Sequence, residues 1–448
     1  MTKTVYASTC GAKLDSHVHT GGGTDDTAAL QRVLDTAADG DGVRLIMDGA
    51  ALITGLTVYS NTTIECLNAD CGFFLADGAN CSLIRNAHPD FREIRDRNIC
   101  LIGGTYTHNC LHQAHDIPTP PDQVMFNTLG EEVFRTRRFI TALEFFGVEG
   151  LTVAGVTIRD QRTFAMLAAN WKNVVVRDMQ IDLPNQRDCE NQDGLHFWGP
   201  GQFLTLQNIH GRSGDDFIAL APDEHDRVSS ITDVLIDGVM LDHADQGIRL
   251  LSREKGRLDR VTIRNVTGTY RSFGFYINPW FPGPCGGNFG DIRIENVDLR
   301  PEEPNYTYRP AFLFQIGGWI EHLTLCHIRD HRPTHQRVLV EASHCSYDEN
   351  LAECQCPTHI EQLTLEDFNV IRPDGLHTPL FTFNAAIDRL ILRNFLFWCD
   401  EPGDSPVCQE LPNGQIGLFL AENGLTHGVG SVVPACAKRA IVRNIDEV

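Results

Sequence analysis

Two acidic motifs offer the clearest chemistry in this chain. Asn191-Gln192-Asp193-Gly194 opens one strand-like segment, and Gly214-Asp215-Asp216 opens the next. One repeat separates them, so stacking the segments brings Asp193 beside the Asp215-Asp216 pair. Carboxylates crowded into one groove repel one another, and one of the three is expected to keep its proton near neutrality. Hydrolysis of a glycosidic bond needs that division: one acid protonates the departing oxygen and one base activates water. Single displacement with inversion wants the carboxyls about 6.5–9.5 Å apart, leaving room for the water. Aspartates also cap turns or, as an oxygen cluster, hold calcium, and spacing alone leaves these uses open.

The elements that must position the acids are short strands in a repeat. Similar segments recur at Leu151-Thr152-Val153, Val174-Val175-Val176, Phe203-Leu204-Thr205, Val234-Leu235-Ile236, Val261-Thr262-Ile263, Ile292-Arg293-Ile294 and Leu323-Thr324-Leu325. Their spacing is roughly 23–31 residues, a period that signals a stacked solenoid. Several are followed by a turn containing Asn, Asp or Gly, residues that tolerate left-handed backbone. No long helical period intervenes, which disfavours strand–helix–strand units.

A second strand in each repeat aligns Thr163–Ala168, Asp193–Trp198, Asp216–Ala221, Gln246–Leu251 and Phe273–Asn278. Side chains alternate faces along a strand. Leu195, Phe197, Ile218, Leu220, Ile248, Leu250, Phe275 and Ile277 are therefore predicted to point into the core. His196, Trp198, Ala219, Ala221, Arg249, Leu251, Tyr276 and Asn278 are predicted to form a continuous outer column. Weaker repeats at Leu363-Thr364-Leu365 and Leu390-Ile391-Leu392 predict that the solenoid continues toward the C-terminus.

The expected fold is all-β, a right-handed parallel β-helix with an N-terminal capping helix. Ala29, Leu30, Val33, Leu34 and Ala37 have helical spacing, Thr24 or Asp25 can cap the start and Gly40 the end. Such a helix would cover the open end of the solenoid. The chain is read as one domain over 1–448, with a cap over 1–50, coils over 51–448, and loop insertions at 107–137, 301–312 and 327–358.

Around the acids, the candidate substrate-binding residues are Asn191, His196, Trp198, Gln246, Arg249, Tyr276, Asn278 and Trp280. His196 could bind a sugar hydroxyl or tune a carboxylate. Trp198, Tyr276 and Trp280 offer flat rings for a sugar face. Arg249 could pair with a protein carboxylate or with substrate. His17 and His19 lack further ligands at metal spacing, as do Cys354 and Cys356. His108, His112 and His115 lie in the long loop, where they could line a groove. Arg135, Arg137 and Arg138 read as a solvated or interface patch.

With these residues in view, the sequence resembles glycoside hydrolase family 28, the polygalacturonases and related pectin hydrolases, over roughly residues 1–300. The family's Asn-Thr-Asp-Gly stands here as Asn191-Gln192-Asp193-Gly194, and its Gly-Asp-Asp as Gly214-Asp215-Asp216. The Gly-Thr-Asp-Asp-Thr segment at 23–27 is shared more widely among β-helix enzymes. The resemblance implies Asp215 as general acid and Asp193 with Asp216 as the pair that positions and deprotonates water, with inversion. Two motifs depart from the family. Its Gly-His-Gly is Asp245-Gln246-Gly247 here, and its uronate-gripping Arg-x-Lys is Tyr276-Ile277-Asn278. The implied substrate is a carbohydrate other than plain polygalacturonate.

Composition sets outer bounds. A hydrophobic content of 42% excludes a disordered chain. A net charge of −22 argues against nucleic acid, and against a highly anionic polymer unless local cations offset it. No long apolar run predicts a membrane span. The N-terminal residues lack the apolar core of a signal peptide and the 15 cysteines show no regular framework, so cytoplasmic location with reduced thiols is expected, secretion after removal of a leader being the alternative. No organic cofactor and no metal is implied, and a homo-oligomer is open. Rival readings are a β-helix lyase, a glycan transferase of the fructotransferase kind, and a non-catalytic carbohydrate-binding solenoid.

Overall fold

Asn, Asp and Gly at recurring corners let one chain turn from strand to strand within each coil. Asn98, Asn173 and Phe203 adopt left-handed backbone at φ +56°, +56° and +63°, and Gly150 does so at +75°. The computed structural model describes all residues except 1, 115–116, 120–123, 134–135, 138–139, 187, 280–285, 303–310, 332–338, 344–356 and 402. It divides into two compact units, Met1–Ala219 and Leu220–Val448.

In the first unit, parallel strands stack coil on coil in three columns. The column that leads to the acidic motifs contains Leu56–Val58, Ile84–Asn86, the start of Leu143–Ala154, the start of Met166–Asp182, and Leu195–Trp198. Their registers are in step: Thr57 pairs with Arg85, Arg85 with Glu144, Glu144 with Leu167, and Leu167 with His196. A second column runs through Ile99, Leu151, Val174 and Leu204, all buried. This register sets Leu204, not Phe203, against Val174. The repeat read from sequence is therefore off by one residue there, because Phe203 takes the corner position that Asn173 fills one coil earlier and is 47% exposed. The same slip sets Met166, not Ala165, opposite Leu195.

The capping helix is present as Thr27–Leu34, with Leu30, Val33 and Leu34 buried. Asp26 is its N-cap residue, one position beyond the predicted pair. Asp25 Oδ1 accepts the Thr27 N–H at 2.9 Å, while the Asp26 carboxylate accepts the Lys13 and Leu14 N–H groups. Gln31 pins the helix to the first column: its Nε2 donates to Thr57 O at 3.0 Å and its Oε1 accepts Thr57 N–H at 2.9 Å. Those two bonds satisfy strand-edge groups at the open end of the column. The helix ends at Leu34 and continues as a short 3-10 turn, Asp35–Ala37, before Gly40. The 107–137 insertion contains two small antiparallel pairings, Ile117–Pro118 with Thr136–Arg137 and Met125–Phe126 with Glu132–Val133.

In the second unit, the ladder Val234, Val261, Ile292, Leu323, Leu363, Leu390, Phe419 repeats in register. The solenoid thus runs on through Gln415–His427 to Ala440–Glu447. Its aromatic rungs stack, with Phe275 and Phe314 ring centres 4.9 Å apart. Each such buried ring contributes on the order of 2 kcal/mol. The corner residues form an amide ladder: Asn265 Nδ2 donates to Asp237 Oδ1 at 2.7 Å, and Asn296 Nδ2 to Asn265 Oδ1 at 2.6 Å. These are the turn residues whose recurrence marks the repeat in the sequence. Most of 301–312 and 327–358 lies outside the described residues.

Candidate active site

Backbone hydrogen bonds hold the two acidic motifs side by side. Gly214 N–H donates to Gln192 O at 2.9 Å, and Gly194 N–H donates to Asp216 O at 2.9 Å. Asp193 lies between the first unit's Gln192 and Gly194, and Asp215 between Gly214 and Asp216. The two acidic segments therefore lie side by side, joined at both ends by backbone hydrogen bonds. Gly194 is required there: a Cβ at that position would come within 2.3 Å of Phe217 O and 2.8 Å of Ile181 Cδ1.

The three carboxyls differ in surroundings. Asp193 is 3% exposed and Asp216 6%, whereas Asp215 is only half-buried. Asp193 Oδ2 lies 2.8 Å from His196 Nδ1. An ionised carboxylate only accepts, so Nδ1 then carries the hydrogen. The His196 ring stacks on Phe164 at 4.6 Å and meets Trp198 edge-on at 6.1 Å, which fixes its orientation. On the Asp215 side, exposed Asn191 donates from Nδ2 to Asp215 Oδ2 at 3.5 Å, and Ser213 Oγ donates to Asp215 O at 2.7 Å. The cluster thus opens to solvent at Asp215 and Asn191 and is walled at Asp193.

Two glutamines that sequence reasoning passed over brace this arrangement. Gln161 Nε2 donates to Asp193 O at 3.1 Å, and Gln192 Nε2 donates to Gln161 O at 3.1 Å. Gln192 occupies the place of Thr in the family motif, so the departure carries a bracing contact of its own. Nothing in the local sequence marks Gln161 for this part, because its partners lie one coil away.

The predicted outer column is not an open surface. His196, Trp198, Arg249, Tyr276 and Asn278 are all buried. Trp198 packs near Phe91, and its carbonyl accepts the Trp171 Nε1–H at 2.9 Å, so its ring presents no free face to a sugar. In the second unit, Arg249 Nη2 donates to Gln246 Oε1 at 2.8 Å. Its guanidinium lies 5.2 Å from the Phe273 ring centre and 5.1 Å from that of Tyr276, with Phe312 completing the cluster. Alternation assigns each side chain a face but does not reveal what covers it. Trp280, His115, Arg135, Arg138, Cys354 and Cys356 lie outside the described residues, as does the Arg137 side chain.

The long-loop histidines separate. His112 is exposed, whereas His108 is fully buried, with Nε2 3.0 Å from Cys81 O and Nδ1 accepting the Arg162 N–H at 3.0 Å. Burial pushes His108 down to about 4, so it is a neutral structural ring at neutral pH.

No protein-family model and no curated protein matches this sequence. Solved structures do match in fold. A family 28 exopolygalacturonase from Yersinia enterocolitica aligns over 99% of this chain and 78% of its own, at TM-score 0.53 and 13% identity. The A-module of the mannuronan C-5 epimerase AlgE6 from Azotobacter vinelandii aligns over 99% of both chains, at TM-score 0.58 and 13% identity. A tailspike protein of E. coli bacteriophage HK620 covers 95% of this chain and 77% of its own, at TM-score 0.53 and 10% identity. The chain folds as a right-handed parallel β-helix. At such identities the likeness carries the fold, and the chemistry must be argued from the residues.

Proposed function

We propose that this β-helix hydrolyses a glycosidic bond in an oligo- or polysaccharide by single displacement with inversion. The backbone bonds that join the Asn191–Gly194 and Gly214–Asp216 segments carry this reading, because three carboxyls then belong to neighbouring turns of the chain. Asp215, the carboxyl most open to solvent, donates its proton to the departing glycosidic oxygen. Asp193 and Asp216 hold a water and take its proton as its oxygen attacks the anomeric carbon. His196 fixes Asp193 in place. One proton leaves the acid and one is gained by the base, and exchange with solvent resets both. The Arg-x-Lys motif with which family 28 grips a uronate stands in this sequence as Tyr276-Ile277-Asn278, which favours a sugar other than plain galacturonate.

A panel of glycans incubated with the protein, with products weighed by mass spectrometry, tests this. Hydrolysis adds the mass of one water. A lyase gives an unsaturated product absorbing in the ultraviolet, and an epimerase or transferase consumes no water. Asp215→Asn should lower kcat/KM at least 100-fold. Turnover without added water, or full activity in Asp215→Asn, would sink the reading.

A further inference from the structure

A cavity lies up the same column. Arg85 lines an open cavity of about 310 Å³, together with Thr54, Thr57, Asn80, Ser82 and Pro118. That volume is at the lower end of small-ligand pockets, roughly 300–1,000 Å³. Nearby arginines of this unit are committed: Arg44 to Glu65, Arg97 to Glu149 and Arg159 to Asp182. Among the described residues none forms a hydrogen bond or ion pair with the Arg85 guanidinium. Glu144, its buried ladder neighbour, makes no ion pair with it.

The cavity occupies the turn of the coil that the acids occupy lower down. Thr54 and Gly55 precede the strand Leu56–Val58, and Asn80 to Ser82 precede Ile84–Asn86, just as Asn191–Gly194 precede Leu195–Trp198. Arg85 reaches His196 through two intermediate rungs, Glu144 and Leu167. Residues in step on a parallel ladder point to the same side, and three steps span about 14 Å.

We propose that the Arg85 cavity is a distal glycan subsite that binds one anionic group, the carboxylate of a uronic acid or a sulfate ester. A guanidinium matches either with paired hydrogen bonds, and the hydroxyls of Thr54 and Thr57 and the Asn80 amide suit a sugar ring. One cation on a chain of net charge −22 favours a sparsely charged glycan, because a polyanion would meet the repulsion of the whole surface. This rests on the carbohydrate reading above for its ligand class, but not on hydrolysis.

The test is a glycan array of neutral, uronate-bearing and sulfated oligosaccharides, probed with the full chain carrying Asp215→Asn so that nothing is consumed. Bound glycans should be charged, with the uronate and sulfate arms showing which anion is preferred. Adding Arg85→Gln should weaken them at least tenfold, whereas Arg85→Lys should keep part of the preference. Matching melting curves for the variants guard against misfolding. An empty array, neutral ligands only, or charged ligands indifferent to Arg85→Gln would overturn the proposal. If Arg85-dependent binding holds but the wild-type chain adds no water to those glycans, the subsite stands and the hydrolase reading falls.

Discussion

Replacing Gly194 with Ala should disrupt the join between the two acidic motifs. The added methyl would sit 2.3 Å from Phe217 O and 2.8 Å from Ile181 Cδ1, both well inside van der Waals contact. The carbonyl belongs to backbone in the neighbouring coil, so relief requires the coils to part by about 1 Å. Overpacking of this kind costs about 1–3 kcal/mol. Parting the coils also weakens the 2.9 Å bond from Gly194 N–H to Asp216 O, for a further loss of about 1 kcal/mol. The expected cost is about 2–4 kcal/mol, or a fall in melting temperature of about 4–16 °C for a unit of this size. Thermal melts followed by circular dichroism read the stability, and kcat/KM below the melting transition reads the site. Activity should fall more than 100-fold while the chain is still folded, since about 1 Å of misplacement suffices for that. A Gly194→Ala chain with unchanged melting and unchanged activity would refute the claim that this backbone contact sets the geometry of the acids.

Two buried groups give opposite pH dependences. Burial lowers His108 from 6.5 to about 4, so its contribution is whole above pH 6.5 and drains away as pH falls to 4, by roughly 3 kcal/mol. Burial raises Asp223 from 3.8 to about 6 despite three backbone N–H groups from Arg253, Glu254 and Gly256, so its contribution is whole below pH 4 and is lost as pH rises through 6, again by roughly 3 kcal/mol. Urea midpoints between pH 4 and 7 should therefore steepen in opposite senses in His108→Gln and Asp223→Asn, and parallel curves would contradict both assignments. Among the thiols, Cys189 is held down to about 7 by the hydrogen bond from Cys110, whereas burial pushes Cys66 up to about 12. Brief iodoacetamide treatment at pH 7.5 with peptide mapping should label Cys189 well before Cys66, and the reverse order would contradict the structure.

The repeat was legible because each coil buries an apolar residue at the same place, as at Val261, Ile292 and Leu323, and turns at an Asn or Asp that tolerates left-handed backbone. Phe203 broke the reading by a single residue, since a large apolar side chain at a corner mimics a core position. The acidic motifs were legible for a similar reason: one repeat of separation is one coil of height. The covering of Trp198 and Tyr276 was not, because period-2 alternation says which way a side chain points and nothing about the rings that close over it. The Arg85 cavity was hidden more completely. Its lining comes from residues near 54, 80–85 and 117, which only stacking brings together.

Single displacement requires water to attack from one side while Asp215 protonates the other. The most direct test is the configuration of the newly freed anomeric centre, followed by proton NMR in the first minutes of reaction before the anomers equilibrate. Inversion relative to the cleaved bond is the predicted result. Retention would mean a covalent intermediate on one of the aspartates and would contradict the single-displacement arrangement drawn from Asp193, Asp215 and Asp216.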